Sequence, residues 1–213
     1  MAFTLEQLIV IVPIFLVSLT FHEFAHSFAA LLLGDRTSQA MGRFSLNPLK
    51  HIDPLGFILF ILFGFGWAKP VMVNRENLRH PLRDDVIISL SGPLANFILA
   101  ITSAILLRIL LKGGLLAGGT LEIIPNIFIY TIIVNISLAI FNLLPIPPLD
   151  GSHIITDIIE IWSPSLAYKF YKFGSRLILI LIILERVTDI DFLPIGGMIN
   201  SVTNIIFRTF LNI

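Results

Sequence analysis

Apolar residues in this chain run in long blocks rather than in short alternating stretches. Leu5–Leu33, Val86–Leu111 and Leu121–Leu144 each predict a membrane-crossing helix, because a helix needs about 20 largely apolar residues to traverse the hydrocarbon layer. The first is interrupted by Glu6, by Pro13 and by a polar cluster in its second half. Neighbouring helices can accommodate the proline. A fourth run, Leu55–Trp67, is short for a full crossing and fits a re-entrant segment. Its flanks are basic, with Arg36, Arg43 and Lys50 before it and Lys69, Arg75, Arg79 and Arg83 after it. The excess of positive charge places both flanks on the cytoplasmic side. The loop joining the second and third spans carries only Lys112 and Glu122, as an outer loop would.

Thr37–Leu46 and Trp67–Asn74 read as short extended strands, punctuated by Gly42, Asn47-Pro48, Pro70 and Asn74. Gly151–Trp162 has Ile154, Ile155, Ile158, Ile159 and Trp162 on one side of a helix, and Leu177–Val187 and Met198–Leu211 are further apolar helices. The pattern predicts an all-α polytopic membrane protein. It has a three-helix core, a re-entrant segment, short membrane-associated β strands and C-terminal helices. A single domain is expected over 1–213, with its core at about 5–162 and the C-terminal helices at about 163–213.

Composition sharpens this picture. Of the 213 residues, 56% are hydrophobic and 13% charged, against about 45–50% and about 25% in soluble domains. Net charge is zero, which offers no basic surface for nucleic acid. Cysteine is absent, so thiolate metal sites, cysteine nucleophiles and disulfides are excluded. The start, Met1-Ala2-Phe3-Thr4, has no positive region of the kind a removable signal carries.

The candidate chemistry lies inside the first span, in His22-Glu23-Phe24-Ala25-His26. Histidines at i and i+4 sit about 40° apart around a helix and one turn along it, so both imidazoles can reach one ion. Glu23 lies beside them, where it can hold a metal-bound water and act as general base. Ionisable side chains within a membrane helix cost several kcal/mol unless used or paired. A catalytic zinc takes a third protein ligand, and Asp150, His51, His80, His153 and Asp53 are candidates. Asp150 ends the stretch Asn142-Leu143-Leu144-Pro145-Ile146-Pro147-Pro148-Leu149-Asp150-Gly151, whose prolines stop the third helix. Counting spans returns Asp150 to the depth of the histidines. By itself Asp150 reads first as a cap for the helix beginning at Gly151.

The combination of His22-Glu23-xx-His26 with Asn142…Leu149-Asp150-Gly151 closely resembles the site-2 protease family of intramembrane zinc metalloproteases, in its compact bacterial and archaeal form. The likeness runs from about Thr20 to His153. It passes through Gly34-Asp35, Asn47-Pro48-Leu49-Lys50, Trp67-Ala68-Lys69-Pro70-Val71 and Ser91-Gly92-Pro93-Leu94-Ala95-Asn96. The resemblance implies one Zn²⁺ per chain held by His22, His26 and Asp150, with Glu23 as general base and Asn142 near the developing oxyanion. It also implies a multi-pass protein of a bacterial or archaeal cell membrane, with the site toward the cytoplasm. Its expected partners are the lipid bilayer and single-span membrane proteins, cut within or near their spans in regulated intramembrane proteolysis. No room is left for an inserted PDZ domain or a trailing CBS domain. Lys69, Val71 and Val73 are candidate substrate-binding positions, since an unwound substrate could add to a strand edge there. Asn96 is a further candidate substrate-binding position, expected where the second span packs beside the site.

Two rivals stand against a protease. A membrane zinc transporter would need a polar relay on a second helix, whereas Val86–Leu107 offers only Ser, Thr and Asn as polar residues. A catalytically inactive membrane scaffold would have no use for Glu23.

Overall fold

A computed structural model describes residues 4–115, 123–188, 193 and 195–212. The chain opens with α1 (Leu5–Leu32), which Thr4 and Gln7 cap reciprocally: each side chain accepts the other's backbone N–H. This satisfies donors that the first helical turn leaves free. After the short α2 (Thr37–Ala40) come α3 (Pro54–Phe63), α4 (Pro81–Lys112) and α5 (Ile123–Asn142). Three more helices follow: α6 (Gly151–Trp162), α7 (Pro164–Thr188) and α8 (Ile195–Ile206), the last running into a π-helical turn, Phe207–Leu211. Among the described residues α1, α4 and α5 are long and apolar enough to cross a membrane. The protein is an all-α, multi-pass membrane protein. Glu122, expected in an outer loop, lies outside the described residues.

The three long helices pack against one another, and small residues set how closely. Ala100 and Ala104 on α4 are fully buried against Ile132, Ile136 and Ile140 of α5, with Ile206 of α8 closing that cluster. A second cluster joins Ile11, Phe15 and Leu19 of α1 to Phe60 of α3, where the Phe15 and Phe60 rings stack with centroids 3.7 Å apart.

The short apolar run forms a hairpin. Asp53 accepts from Gly56 N–H and Pro54 occupies the first turn, so α3 starts sharply there. The chain then turns back until Ala68 bridges Ile52 and Lys69 N–H donates to His51 O at 2.8 Å. The segment thus ends beside the place where it began.

The expected strands need correction. Thr37–Leu46 begins as the helical turn α2, whose Ser38 hydroxyl bonds to Ser27 of α1 at 2.6 Å. Residues 67–74 form no strand, and among the described residues the one β contact is the isolated Ile52–Ala68 bridge. A strand requires a ladder of backbone partners, whereas here amides are spent on side chains. Val71 N–H donates to Glu23 Oε2 (3.1 Å) and Asn74 N–H to Asp35 Oδ2 (2.9 Å). The helix expected at Leu177–Val187 starts earlier, at Pro164, because its amphipathic first half with Lys169 and Lys172 falls outside an apolar criterion.

Asp35 pins this extended segment to the end of α1. Fully buried, its carboxylate accepts from the N–H and hydroxyl of Thr37, from Asn74 N–H and from Asn77 Nδ2. Burial would raise its pKa, but the bonds from Asn77, Thr37 and Asn74 outweigh that and lower it below the usual carboxylate value. The stabilisation is therefore complete above the ordinary carboxylate range and is lost as pH falls through the lowered folded value. Asp35→Ala is expected to destabilise by at least about 2 kcal/mol, since it leaves buried donors unmet. Its unfolding midpoint in detergent should fall well below wild type at pH 7, and the gap should narrow in acid. A constant gap at every pH would contradict this account.

Candidate metal centre

Helix α1 carries Ser18, His22 and His26 at four-residue spacing, so they form one stripe along its buried face. Helix α4 answers with Gly92 and Asn96, also four apart. A Cβ added to Gly92 would lie 2.4 Å from His26 Nε2 and 2.7 Å from His22 Cε1. Glycine is required there because the α4 backbone itself forms a wall of the histidine site.

Each imidazole is oriented from behind. His22 Nδ1 lies 2.6 Å from Asn96 Oδ1, and His26 Nδ1 lies 2.8 Å from the Ile88 carbonyl. Both partners are oxygen acceptors, so each Nδ1 donates, and a ring that carries its one proton there turns an Nε2 lone pair inward. The two Nε2 atoms are 3.1 Å apart. Asp150 Oδ2 completes a triangle, at 3.1 Å from His22 Nε2 and 3.3 Å from His26 Nε2.

Asp150 arrives there because α5 stops at Asn142 and the following residues fold back tightly. At Gly151 an added Cβ would meet Leu143 O at 2.2 Å, so the turn that delivers the aspartate also demands glycine. Asp150 opens α6 with helical backbone angles and makes no side-chain cap bond, so its carboxylate serves the histidines and not the helix end.

Three acceptor atoms thus converge, and Oδ2 is buried with no hydrogen-bond donor. Such a cluster repels itself unless a cation sits among the atoms. Tetrahedral zinc with bonds of about 2.0–2.1 Å holds its ligands about 3.3–3.4 Å apart, close to the triangle observed. Among the described residues His22, His26 and Asp150 are the group of ligating side chains that could hold a metal.

The other candidates lie elsewhere. His51 is buried with Nε2 on the Ser45 carbonyl, and Asp53 caps α3. His80 precedes α4 without capping it through its side chain. His153 bonds to Asp85 at 2.8 Å, which raises its pKa against the opposing effect of burial. Asp85 also accepts from Arg75, whose guanidinium reaches Asp157 and Glu160 as well. This ionic cluster ties the loop after α3 to α4 and α6. Glu23 is buried next to His22, with Val71 N–H on its carboxylate. Asn142 Nδ2 donates to Leu138 O within α5. Lys69 is exposed, Val71 and Val73 are half-buried, and Asn96 is fully buried behind His22. Sequence reasoning passed over Ser18, Asn135 and the Val71 amide. The signal for the first two was their place one or two turns from His22 and Asn142, and no residue type marks the third.

Residues 10–117 and 114–185 match the sequence model of Peptidase family M50. The chain belongs to that family. YwhC of Bacillus subtilis is 36% identical over 196 residues, covering 92% of this chain and 88% of YwhC. Rip2 of Mycolicibacterium smegmatis is 30% identical over 67% of this chain and 54% of its own length. MJ0611 of Methanocaldococcus jannaschii is 35% identical over 55% of this chain and 59% of its own. Each carries a zinc metalloprotease name. No solved structure matches. The chain is a zinc metalloendopeptidase embedded in a lipid bilayer, as its resemblance to site-2 proteases implied.

Gly92→Ala is expected to lower zinc affinity at least about tenfold, the scale of a disturbed ligand shell. Gly196→Ala on α8, where nothing lies within 4 Å of an added Cβ, should bind zinc as wild type does. Competition with a chelator measures both, and equal affinity in the two variants would remove Gly92 from the site.

Proposed function

We infer that this protease hydrolyses peptide bonds within or near the membrane-spanning segments of single-span proteins, in regulated intramembrane proteolysis. The observation that carries this is the position of the donor triangle. His22 and His26 sit inside a membrane-crossing helix, with the carboxylate of Glu23 beside them. A soluble peptide would have no need of a site at that depth.

In this mechanism His22, His26 and Asp150 would hold one zinc, and its Lewis acidity would make water deprotonable near neutral pH and polarise a carbonyl. Glu23 takes the proton from the attacking water and returns it to the leaving amine. The Val71 amide holds one of its oxygens, which fixes the carboxylate for transfer through the other. Asn142, at rest on the Leu138 carbonyl, turns its amide toward the substrate and donates to the oxyanion. Residues 5–162 serve as the catalytic core, and 163–213 flank it.

The hairpin around α3 is re-entrant in this account, since its two ends lie side by side and both flanks are basic. The site then faces the cytoplasm of a bacterial or archaeal cell. A single cysteine replacing Asn77, an exposed position, should react with a membrane-impermeant thiol reagent only in opened cells. Reaction in intact cells would reverse the orientation.

Lys69–Asn74 supplies the substrate's partner edge once cleavage begins. An unwound substrate needs backbone partners in an apolar setting, and this segment lies against Glu23. Co-expression with a panel of single-span proteins tests both parts, with mass spectrometry of the products. Glu23→Gln should retain zinc and lose all cleavage. Val73→Pro should retain zinc and cut membrane substrates several-fold more slowly than wild type does, with a smaller loss on a short soluble peptide. Zinc loss in a folded Glu23→Gln protein would displace Glu23 from its role, and an unimpaired Val73→Pro would displace the edge.

A further inference from the structure

Behind His22 lies a hydrogen-bonded chain that crosses all three long helices. Asn96 Oδ1 accepts from His22 Nδ1, while Asn96 Nδ2 donates to the Ser18 carbonyl at 3.2 Å and to Asn135 Oδ1 at 2.8 Å. Asn135 Nδ2 in turn donates to Ser18 Oγ at 2.8 Å and to the Thr131 carbonyl at 2.9 Å. Every side chain in it is buried, with relative exposures of 0% for Asn96 and Asn135, 1% for Ser18 and 3% for His22.

The orientation of both amides is determined at backbone carbonyls. A carbonyl can only accept, so the Asn96 atom facing Ser18 O is the nitrogen, and the Asn135 atom facing Thr131 O is the nitrogen. The Asn96 atom left for His22 is then the oxygen, and it can take a bond only from a protonated Nδ1. With Nδ1 protonated, a neutral imidazole has its lone pair on Nε2, the atom that faces Asp150. The amides act as a relay: a carbonyl of α5 orients Asn135, Asn135 and α1 orient Asn96, and Asn96 sets the tautomer of His22.

The geometry points to Asn96, clamped by Asn135 and Ser18, as a positioning residue that fixes the His22 ring and tautomer and thereby sets zinc affinity. This rests on the zinc site already described and adds to it a dependence on residues that touch neither metal nor substrate. His26 Nδ1 lies 2.8 Å from the Ile88 carbonyl, which substitution cannot remove, and 3.4 Å from Ser91 Oγ, so the amide relay acts on His22.

The full-length protein in detergent provides the test, with two readouts. Zinc affinity is measured by chelator competition, and the tautomer of His22 in the zinc-free protein by two-bond proton–nitrogen correlation after ¹⁵N-histidine labelling. Asn96→Leu, which keeps the volume and removes the acceptor, should weaken zinc binding about 10–100-fold and release His22 into mixed tautomers. Asn96→Asp keeps an acceptor for Nδ1 and should recover most of the affinity. Asn135→Ala, one bond further away, should cause a smaller loss. Wild-type affinity in Asn96→Leu, or a His22 that stays Nδ1-protonated in that variant, overturns the proposal. So does an Asn96→Asp protein as weak as Asn96→Leu, which would assign Asn96 to packing. A wild-type protein that binds no zinc is a separate result and would overturn the metal site itself.

Discussion

Three lone pairs meeting within hydrogen-bond distance of one another are the constraint on which the rest of this structure depends. His22 Nε2, His26 Nε2 and Asp150 Oδ2 lie 3.1–3.3 Å apart, a spacing that is repulsive without a cation and suited to zinc with one. Two of the atoms come from one helix at a four-residue interval, which local geometry provides. The third comes from the start of α6, past the turn that follows the third long helix. Its arrival requires α5 to stop at Asn142, the chain to fold back so tightly that Gly151 has no room for a Cβ, and α4 to approach until Gly92 touches both rings.

Polar groups are costly inside a bilayer, and this protein arranges them so that each satisfies another. The stripe Ser18, His22, His26 on α1 faces Asn96 on α4 and Asn135 on α5, and the bonds among them close with few loose ends. The same atoms that make burial tolerable orient the two histidines, so packing and the candidate metal site share one network. At the end of the core, Arg75 gathers Asp85, Asp157 and Glu160 while His153 takes the other side of Asp85. Because α6 carries Asp157 and Asp150 stands at its start, that ionic cluster also steadies the carboxylate beside the histidines.

The extended segment after α3 is held from both ends and touches Glu23 in its middle. Lys69 is anchored on His51, Val71 on Glu23 and Asn74 on Asp35. None of these bonds belongs to a sheet, and for that reason a stretch with the β-branched residues and proline of a strand forms none. Its backbone amides instead attach a surface loop to two buried carboxylates, Glu23 within α1 and Asp35 just after it.

The sequence by itself determined the three crossings, the His22-Glu23-xx-His26 face and the break that precedes Asp150, because each depends on composition or spacing within a few turns of one helix. It also carried enough separated motifs to identify the family. Only the tertiary structure decided between Asp150 as helix cap and Asp150 as partner of the histidines, since both roles begin from the same position and differ in where the side chain finds a charge. Tertiary structure likewise decided that Asn96 stands behind His22, that Asn135 and Ser18 support it, and that Val71 donates to Glu23. Those contacts join residues 39 to 117 positions apart, and for Val71 they involve a backbone amide that every residue but proline possesses. Spacing along one helix is written locally, whereas the meeting of three helices follows from how their small and large side chains pack.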